Sequence, residues 1–232
     1  MTTNAPLVLD RVGFRWPGRA GFRLTVPDFA MRPQESVLLL GESGSGKSTL
    51  LSLICGIVVP QQGVVRVDGT DLASLRAGAR DRFRAERIGV IFQQFNLLPY
   101  ASVEDNVRLP LRFAPDRRGR AGDAGAEAER LCLALGLAPE LMSAPAGRLS
   151  VGQQQRVAVA RALIGQPPLI VADEPTSALD ARTQDAFLGL LFDQVRAAGS
   201  ALLMVSHDDR LGARFDRVLR LEDIAQTQRV AA

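Results

Sequence analysis

Lysine is nearly absent from this sequence. Of its 28 basic residues only Lys47 is a lysine. Histidine occurs once, at His207, and tryptophan once, at Trp16. Two cysteines, Cys55 and Cys132, are too few for a disulfide framework. Both lie in apolar helical patterns, which fits buried reduced thiols and not a redox or metal centre. No stretch approaches the ~20 apolar residues that a membrane-spanning helix needs. Residues 1–6 lack the basic-then-apolar pattern of a secretory leader, so a reducing cytoplasm is the expected compartment. A net charge of +3 is too small to argue for nucleic acid or an anionic lipid surface as a partner. A chain so biased toward arginine keeps lysine where arginine cannot serve, and that singles out position 47.

The 232 residues that remain to be explained can bury a sizeable core in one large domain or two small ones. Apolar runs at 37–40, 64–67, 88–92, 169–172, 201–205 and 218–221 read as strands. Several are continuously apolar, as expected for strands covered on both faces. Helical patterns occupy 47–55, 126–135, 153–164 and 183–198. The alternation predicts an α/β fold with a largely parallel sheet. The first 35 residues hold short alternating segments with Pro and Gly, which predicts a small antiparallel β-subdomain. The stretch 114–125, APDRRGRAGDAG, is polar and glycine-rich and is expected to be a mobile surface loop within a helical insertion.

Residues 41–48 read GESGSGKS, with Thr49 next. This fits the phosphate-binding pattern G-x-x-x-x-G-K-[ST], placed between a predicted strand and a predicted helix. Gly41, Gly44 and Gly46, with Ser43 and Ser45 between them, let the backbone curl so that its N–H groups face a phosphate. The helix N-terminus adds its positive dipole end. Lys47 is a compact charge able to reach between β- and γ-phosphates, where a planar guanidinium is too large. Ser48 offers a hydroxyl to Mg²⁺. Residues 169–174 read LIVADE, a buried strand ending in two carboxylates. Asp173 is placed to hold Mg²⁺ and Glu174 to polarise an attacking water. Taken alone, the pair followed by Pro175 also reads as a helix cap with its first turn.

Residues 149–153 read LSVGQ, followed by QQRVAVARAL. This resembles the LSGGQ signature of ABC ATPases, and it precedes LIVADEPTSALD at the family's short distance. The resemblance spans nearly the whole chain. It implies a P-loop NTPase (RecA-like) core at 36–93 and 168–232, an antiparallel β-subdomain at 1–35, and an inserted α-helical subdomain at 94–167 that carries the signature. It implies ATP and Mg²⁺ as ligands, and ATP hydrolysis as the reaction. Ser150 and Gly152 would contact the γ-phosphate of ATP held by the other protomer of a homodimer, and Gln153 counts with them among the nucleotide-binding residues. An anion site at the start of a helix agrees with that role. Gln93 resembles the glutamine that senses Mg²⁺ and water and links to the membrane partner. Asp180, ending SALD, resembles the loop that crosses the dimer interface. His207 resembles the switch histidine that holds the γ-phosphate and Glu174. Trp16 takes the place of the aromatic that stacks on adenine.

The run QQFNLLPYASVEDNVRLPL after Gln93 resembles the subfamily of lipoprotein-releasing, macrolide-exporting and cell-division ATPases. The expectation is therefore a transporter motor of export or release type. It would sit peripherally on the inner face of the membrane, bound to a separate transmembrane permease. A regulatory cell-envelope motor, or an ABC ATPase of DNA or translation, are the alternatives; the chain shows no heptads and no basic stripe to favour the last. Two positions depart from the family pattern. Val151 replaces a glycine, so its backbone must lie in an ordinary region. LEDIAQ replaces the commoner LEDG and is expected to shorten or alter a final hairpin.

Overall fold

A computed structural model of the chain describes residues 5–16, 22–42, 44–177, 179 and 181–229. The expectations at Ser43 and Asp180 fall outside these residues. In chain order the described residues form β1 (Leu7–Arg15), β2 (Phe22–Met31), β3 (Ser36–Leu40), α1 (Lys47–Ile54), β4 (Gln62–Val67), β5 (Thr70–Asp71), α2 (Ala77–Arg87), β6 (Ile88–Ile91), α3 (Val103–Arg108), α4 (Pro115–Ala121), α5 (Ala124–Ala134), α6 (Val151–Leu163), β7 (Leu169–Asp173), α7 (Ala181–Ala197), β8 (Ala201–Ser206), β9 (Arg217–Arg220), α8 (Leu221–Ile224) and β10 (Gln226–Arg229). They fall into two compact units, residues 1–84 with 201–232, and residues 85–200.

The first unit holds an antiparallel sheet in the order β10-β2-β1-β4-β5. Along β1, Leu7, Leu9, Val12 and Phe14 are buried. The change of parity between Leu9 and Val12 falls where the β1–β4 register shifts, at a bulge between Asp10 and Gly13. The run at 64–67 joins this sheet as part of β4. Beside it, β3 pairs in parallel with both β8 and β9. Its residues Val37, Leu38 and Leu39 are fully buried, the signature of a central strand covered on both faces. LEDIAQ does not form part of a hairpin. Its first four residues make the single turn α8, and its last, Gln226, begins β10, which pairs antiparallel with β2. The chain thus leaves the parallel strands and becomes an edge of the antiparallel sheet.

In the second unit β6 and β7 pair in parallel. Helix α6 approaches β6 so closely that a Cβ on Gly89 would lie 2.2 Å from the Ala162 carbonyl oxygen. The stretch 114–125 is not a mobile loop. Pro115 opens α4, and the Glu86 carboxylate accepts from the N–H groups of Asp116 (3.0 Å) and Arg117 (2.7 Å). The Arg117 side chain is 1% exposed. Its guanidinium donates to the carbonyls of Ile164, Ala85, Ile88, Arg161 and Ala162 at 2.6–3.4 Å. Asp123 then caps α5, accepting from Gly125 and Ala126. The polar composition hid a buried cation solvated by backbone. Burial pushes the Arg117 guanidinium down to about 9, which still leaves it charged at neutral pH. Among the described residues no helix is long and apolar enough to cross a membrane.

Candidate functional site

In the first unit the phosphate loop runs from the end of β3 to the start of α1. Gly44 has φ 76° and Gly46 φ 111°. A Cβ on Gly46 would also meet Thr227 at 3.0 Å and the Phe22 ring at 3.3 Å, so glycine is required there. No side chain caps α1, and its first turn holds no acidic residue. Its N-terminal N–H groups are therefore presented toward the loop, as an anion site requires. Ser45 Oγ is buried with no hydrogen-bond partner among the described residues. Such an orphan costs about 1–3 kcal/mol and suits a phosphate oxygen as its missing acceptor. Lys47 is buried, and its Nζ donates to the carbonyls of Gly41 (2.5 Å) and Glu42 (3.2 Å). Ser48, the next residue of α1, is exposed.

Thr49 Oγ1 accepts from the Trp16 indole N–H at 3.1 Å, and Phe14 meets the Trp16 ring edge-on at 5.1 Å between centroids. Trp16 thereby borders a depression of about 460 Å³ with Phe14, Arg15, Arg23, Gln61 and Gln62. The Gly41 N–H donates to the Ser206 carbonyl at 3.2 Å. Ser206 Oγ accepts from the Asp208 N–H at 3.0 Å, which anchors the backbone on the other side of His207. His207 is exposed. The first unit thus brings Trp16, the loop and His207 together.

The second unit carries the carboxylates, the Gln93 loop and the signature. The β6–β7 register places Ile91 opposite Ala172. Gln93 and Asp173 therefore leave the same C-terminal edge, where ligands of parallel sheets bind. Glu174 has φ 42°, a left-handed conformation that costs a non-glycine residue about 1–3 kcal/mol. Three contacts hold that turn. The Ser177 N–H donates to the Glu174 carbonyl at 3.2 Å, Gln184 Nε2 donates to Thr176 Oγ1 at 3.0 Å, and Gln155 Nε2 donates to the Pro175 carbonyl at 2.5 Å. Beyond Gln93, Phe95 and Asn96 also have positive φ, and Arg161 donates to both their carbonyls. Burial pushes the Arg161 guanidinium down to about 10. Sequence reasoning missed Gln155 and Arg161, because a run of Gln and Arg reads as a solvated helix face.

Ser150 is the N-cap of α6. Its Oγ accepts from the Gln153 N–H (3.3 Å), and Gln153 Oε1 accepts from the Ser150 N–H (2.9 Å), a capping box. The accepted bond leaves the Ser150 hydroxyl proton to be donated outward. The Gln153 side-chain oxygen is committed to the cap. Val151 opens the helix with a backbone outside the positive-φ set, as its β-branched side chain requires, and is half exposed. A Cβ on Gly152 would meet nothing within 4 Å. Nothing in this protomer's described packing demands glycine there. Gly152→Ala should leave the melting temperature unchanged or raise it slightly, since alanine is favoured over glycine by up to ~1 kcal/mol within a helix. If Gly152 lies against the nucleotide of an opposing protomer, as the resemblance implies, ATPase turnover should nevertheless fall at least about tenfold. Paired melting curves and phosphate-release assays check both halves.

The ABC transporter family profile matches residues 24–177. The chain belongs to the ABC transporter family. It is 43% identical over 200 residues to the ABC transporter ATP-binding protein YbbA of Escherichia coli K12, covering 85% of each chain. It is 44% identical over 193 residues to the lipoprotein-releasing system ATP-binding protein LolD of Novosphingobium aromaticivorans, covering 83% of this chain and 84% of that one. It is 41% identical to the macrolide export ATP-binding/permease protein MacB 1/2 of Paracoccus denitrificans, covering 95% of this chain and 33% of that one. Among solved structures it resembles a dimeric, post-hydrolysis ATP-binding cassette bound to ADP and Pi. That match has a TM-score of 0.74, 30% identity, and coverage of 97% and 99%. As an ABC transporter ATP-binding subunit, the chain binds and hydrolyses ATP.

Proposed function

We propose that this ABC subunit is the homodimeric motor of an export or release system whose membrane-spanning permease is a separate chain. Two ATP molecules lie between two protomers. Each protomer gives Lys47 and Glu174 to one nucleotide and its signature to the other. Trp16 stacks on adenine, and the backbone of Gly41 to Thr49 with Lys47 holds the phosphates. Ser150 and Gly152 of the opposing protomer close on the γ-phosphate, Gln153 shapes their turn, and Asp180 crosses between protomers. Glu174 orients the attacking water, and His207 holds the γ-phosphate beside it. Ser48, Asp173 and Gln93 offer hydroxyl, carboxylate and amide oxygens, the hard donors that Mg²⁺ takes. When bound, the ion neutralises the phosphate oxygens on which charge develops. Functionally the chain divides into a β-subdomain that begins with the expected 1–35 but also takes in β4, β5 and β10, a RecA-like core in the rest of 36–93 and 168–232, and a helical arm at 94–167 that moves with the permease.

The exposed signature carries this reading. Ser150 and Val151 are exposed and Gly152 has open space beside it, which leaves the start of α6 accessible to a second protomer. The solved relative named as dimeric supports the pairing. The likeness to LolD and MacB supports export or release. Attachment to a permease would place the chain peripherally on the cytoplasmic face of the membrane.

The test is affinity purification of the Glu174→Gln protein from its native membranes with ATP and Mg²⁺, followed by mass spectrometry. Without its base the closed, partner-bound dimer accumulates, and a polytopic membrane protein with a large extracytoplasmic domain should be recovered. Recovery of a soluble partner, DNA or ribosomes, with no membrane protein, would overturn the permease reading.

A further inference from the structure

Three successive glutamines, 153–155, lie in the first two turns of α6, and the structure gives each a different backbone task. Gln153 closes the cap on Ser150. Gln154 Nε2 donates to the Leu149 carbonyl at 3.0 Å. Gln155 points the other way. It is 1% exposed and reaches the carbonyl of Pro175, the residue after Glu174. This bond is a direct polar tie from the signature helix to the turn that holds the carboxylate. It acts where the backbone is strained, since Glu174 sits at φ 42°. A single-residue excursion of this kind persists only when its surroundings over-determine it. The far end of the same helix is fixed as well. Arg161 holds the Phe95 and Asn96 carbonyls, Arg117 holds the Arg161, Ala162 and Ile164 carbonyls, and Gly89 lets the helix press onto β6. Helix α6 is therefore clamped at one end and bonded to the Glu174 turn near the other.

We infer that Gln155 is a positioning residue for Glu174: it sets the base on its own chain according to the seat of that chain's signature helix. The inference rests on the reading of Glu174 as the base and of Ser150 as a contact to the opposing nucleotide. Under it, engagement of the signature on one ATP is felt at the carboxylate serving the other. The two hydrolysis sites of the dimer are thus joined through the interior of each protomer, by Gln155 and the Pro175 carbonyl. Such a link changes turnover more than nucleotide affinity, because it places a group needed in the transition state.

The experiment uses dimers assembled from two differently tagged full-length chains. The reference pairs an unaltered chain with a Glu174→Gln chain, so that one site hydrolyses. In the first arrangement Gln155→Met is placed in the chain that keeps Glu174. In the second, Gln155→Met and Glu174→Gln are both in one chain and the other is unaltered. Methionine keeps the length and removes the donor. Turnover in the first arrangement should fall about tenfold with KM for ATP unchanged, and the second should match the reference. The reverse pattern, with the second arrangement slow, would show that Gln155 acts across the interface through the signature and would overturn the proposal. Equal rates in all three dimers, or equal losses in both arrangements, would overturn it too. If the methionine variant does not fold, Gln155→Asn, too short to reach Pro175 but still polar, takes its place in the same dimers. A Glu174→Gln homodimer that hydrolyses ATP at the unaltered rate would instead remove the reading of the base itself.

Discussion

Lys47→Arg should abolish ATP hydrolysis, lowering turnover by about a thousandfold or more, although charge is conserved. The buried ammonium lies against the loop's own carbonyls, at 2.5 and 3.2 Å. Its single nitrogen sits at the end of a four-carbon stem that is itself buried. A guanidinium is planar, larger and committed to a fork of donors, so it would push against the loop that Gly44 and Gly46 curl. The loss of nucleotide affinity should be smaller than the loss of turnover, since the backbone N–H groups and the helix end remain. Binding can be followed without a label. Trp16 is the sole tryptophan and donates to Thr49 in the loop's own helix, so nucleotide entry should change its emission. Stopped-flow emission gives the binding constant and phosphate release gives the turnover. An arginine variant hydrolysing ATP within tenfold of the unaltered chain would contradict the steric argument.

Arg117→Met should cost about 3–5 kcal/mol, a large part of the ~5–15 kcal/mol that holds a domain together. The methionine fills some of the volume, but five carbonyls lose a charged donor at once, and Ile164 at the end of α6 is among them. Glu86, also buried, keeps its bonds to the Asp116 and Arg117 N–H groups and loses the nearby positive charge. Arg117→Lys should recover a part of this, because one ammonium reaches fewer carbonyls in that geometry. Urea unfolding followed by far-ultraviolet circular dichroism measures both. A midpoint for the methionine variant within error of the unaltered chain would mean that the buried guanidinium contributes nothing to stability.

These two residues mark what was legible in the sequence and what was not. Phosphate chemistry demands particular residue types in consecutive order, so the loop around Lys47 could be read directly. Arg117 could not, because its role depends on carbonyls up to 47 positions away. The same holds for Gln155 and Pro175, 20 apart, and for Arg161 and Asn96, 65 apart. Helix α2 escaped for a different reason. Among its residues Glu86 alone is buried, so no apolar stripe of helical period exists to be seen. The central strands were visible as continuous apolar runs. The early antiparallel sheet was visible in outline, although its bulge at Asp10–Gly13 breaks the alternation that would have shown β1 as one long strand.

The near-absence of lysine has a practical side in labelling chemistry. Reagents that seek amines, such as succinimidyl esters and imidoester cross-linkers, find a single side-chain target in this protein. That target is 7% exposed and already bonded to its own loop. Covalent capture of a partner through side-chain amines will therefore fail even where contact is intimate, whereas arginine-directed dicarbonyls will mark the surface densely. Slow acylation that does occur at Lys47 should be suppressed by bound nucleotide, so the rate of amine modification becomes a footprint of the phosphate loop.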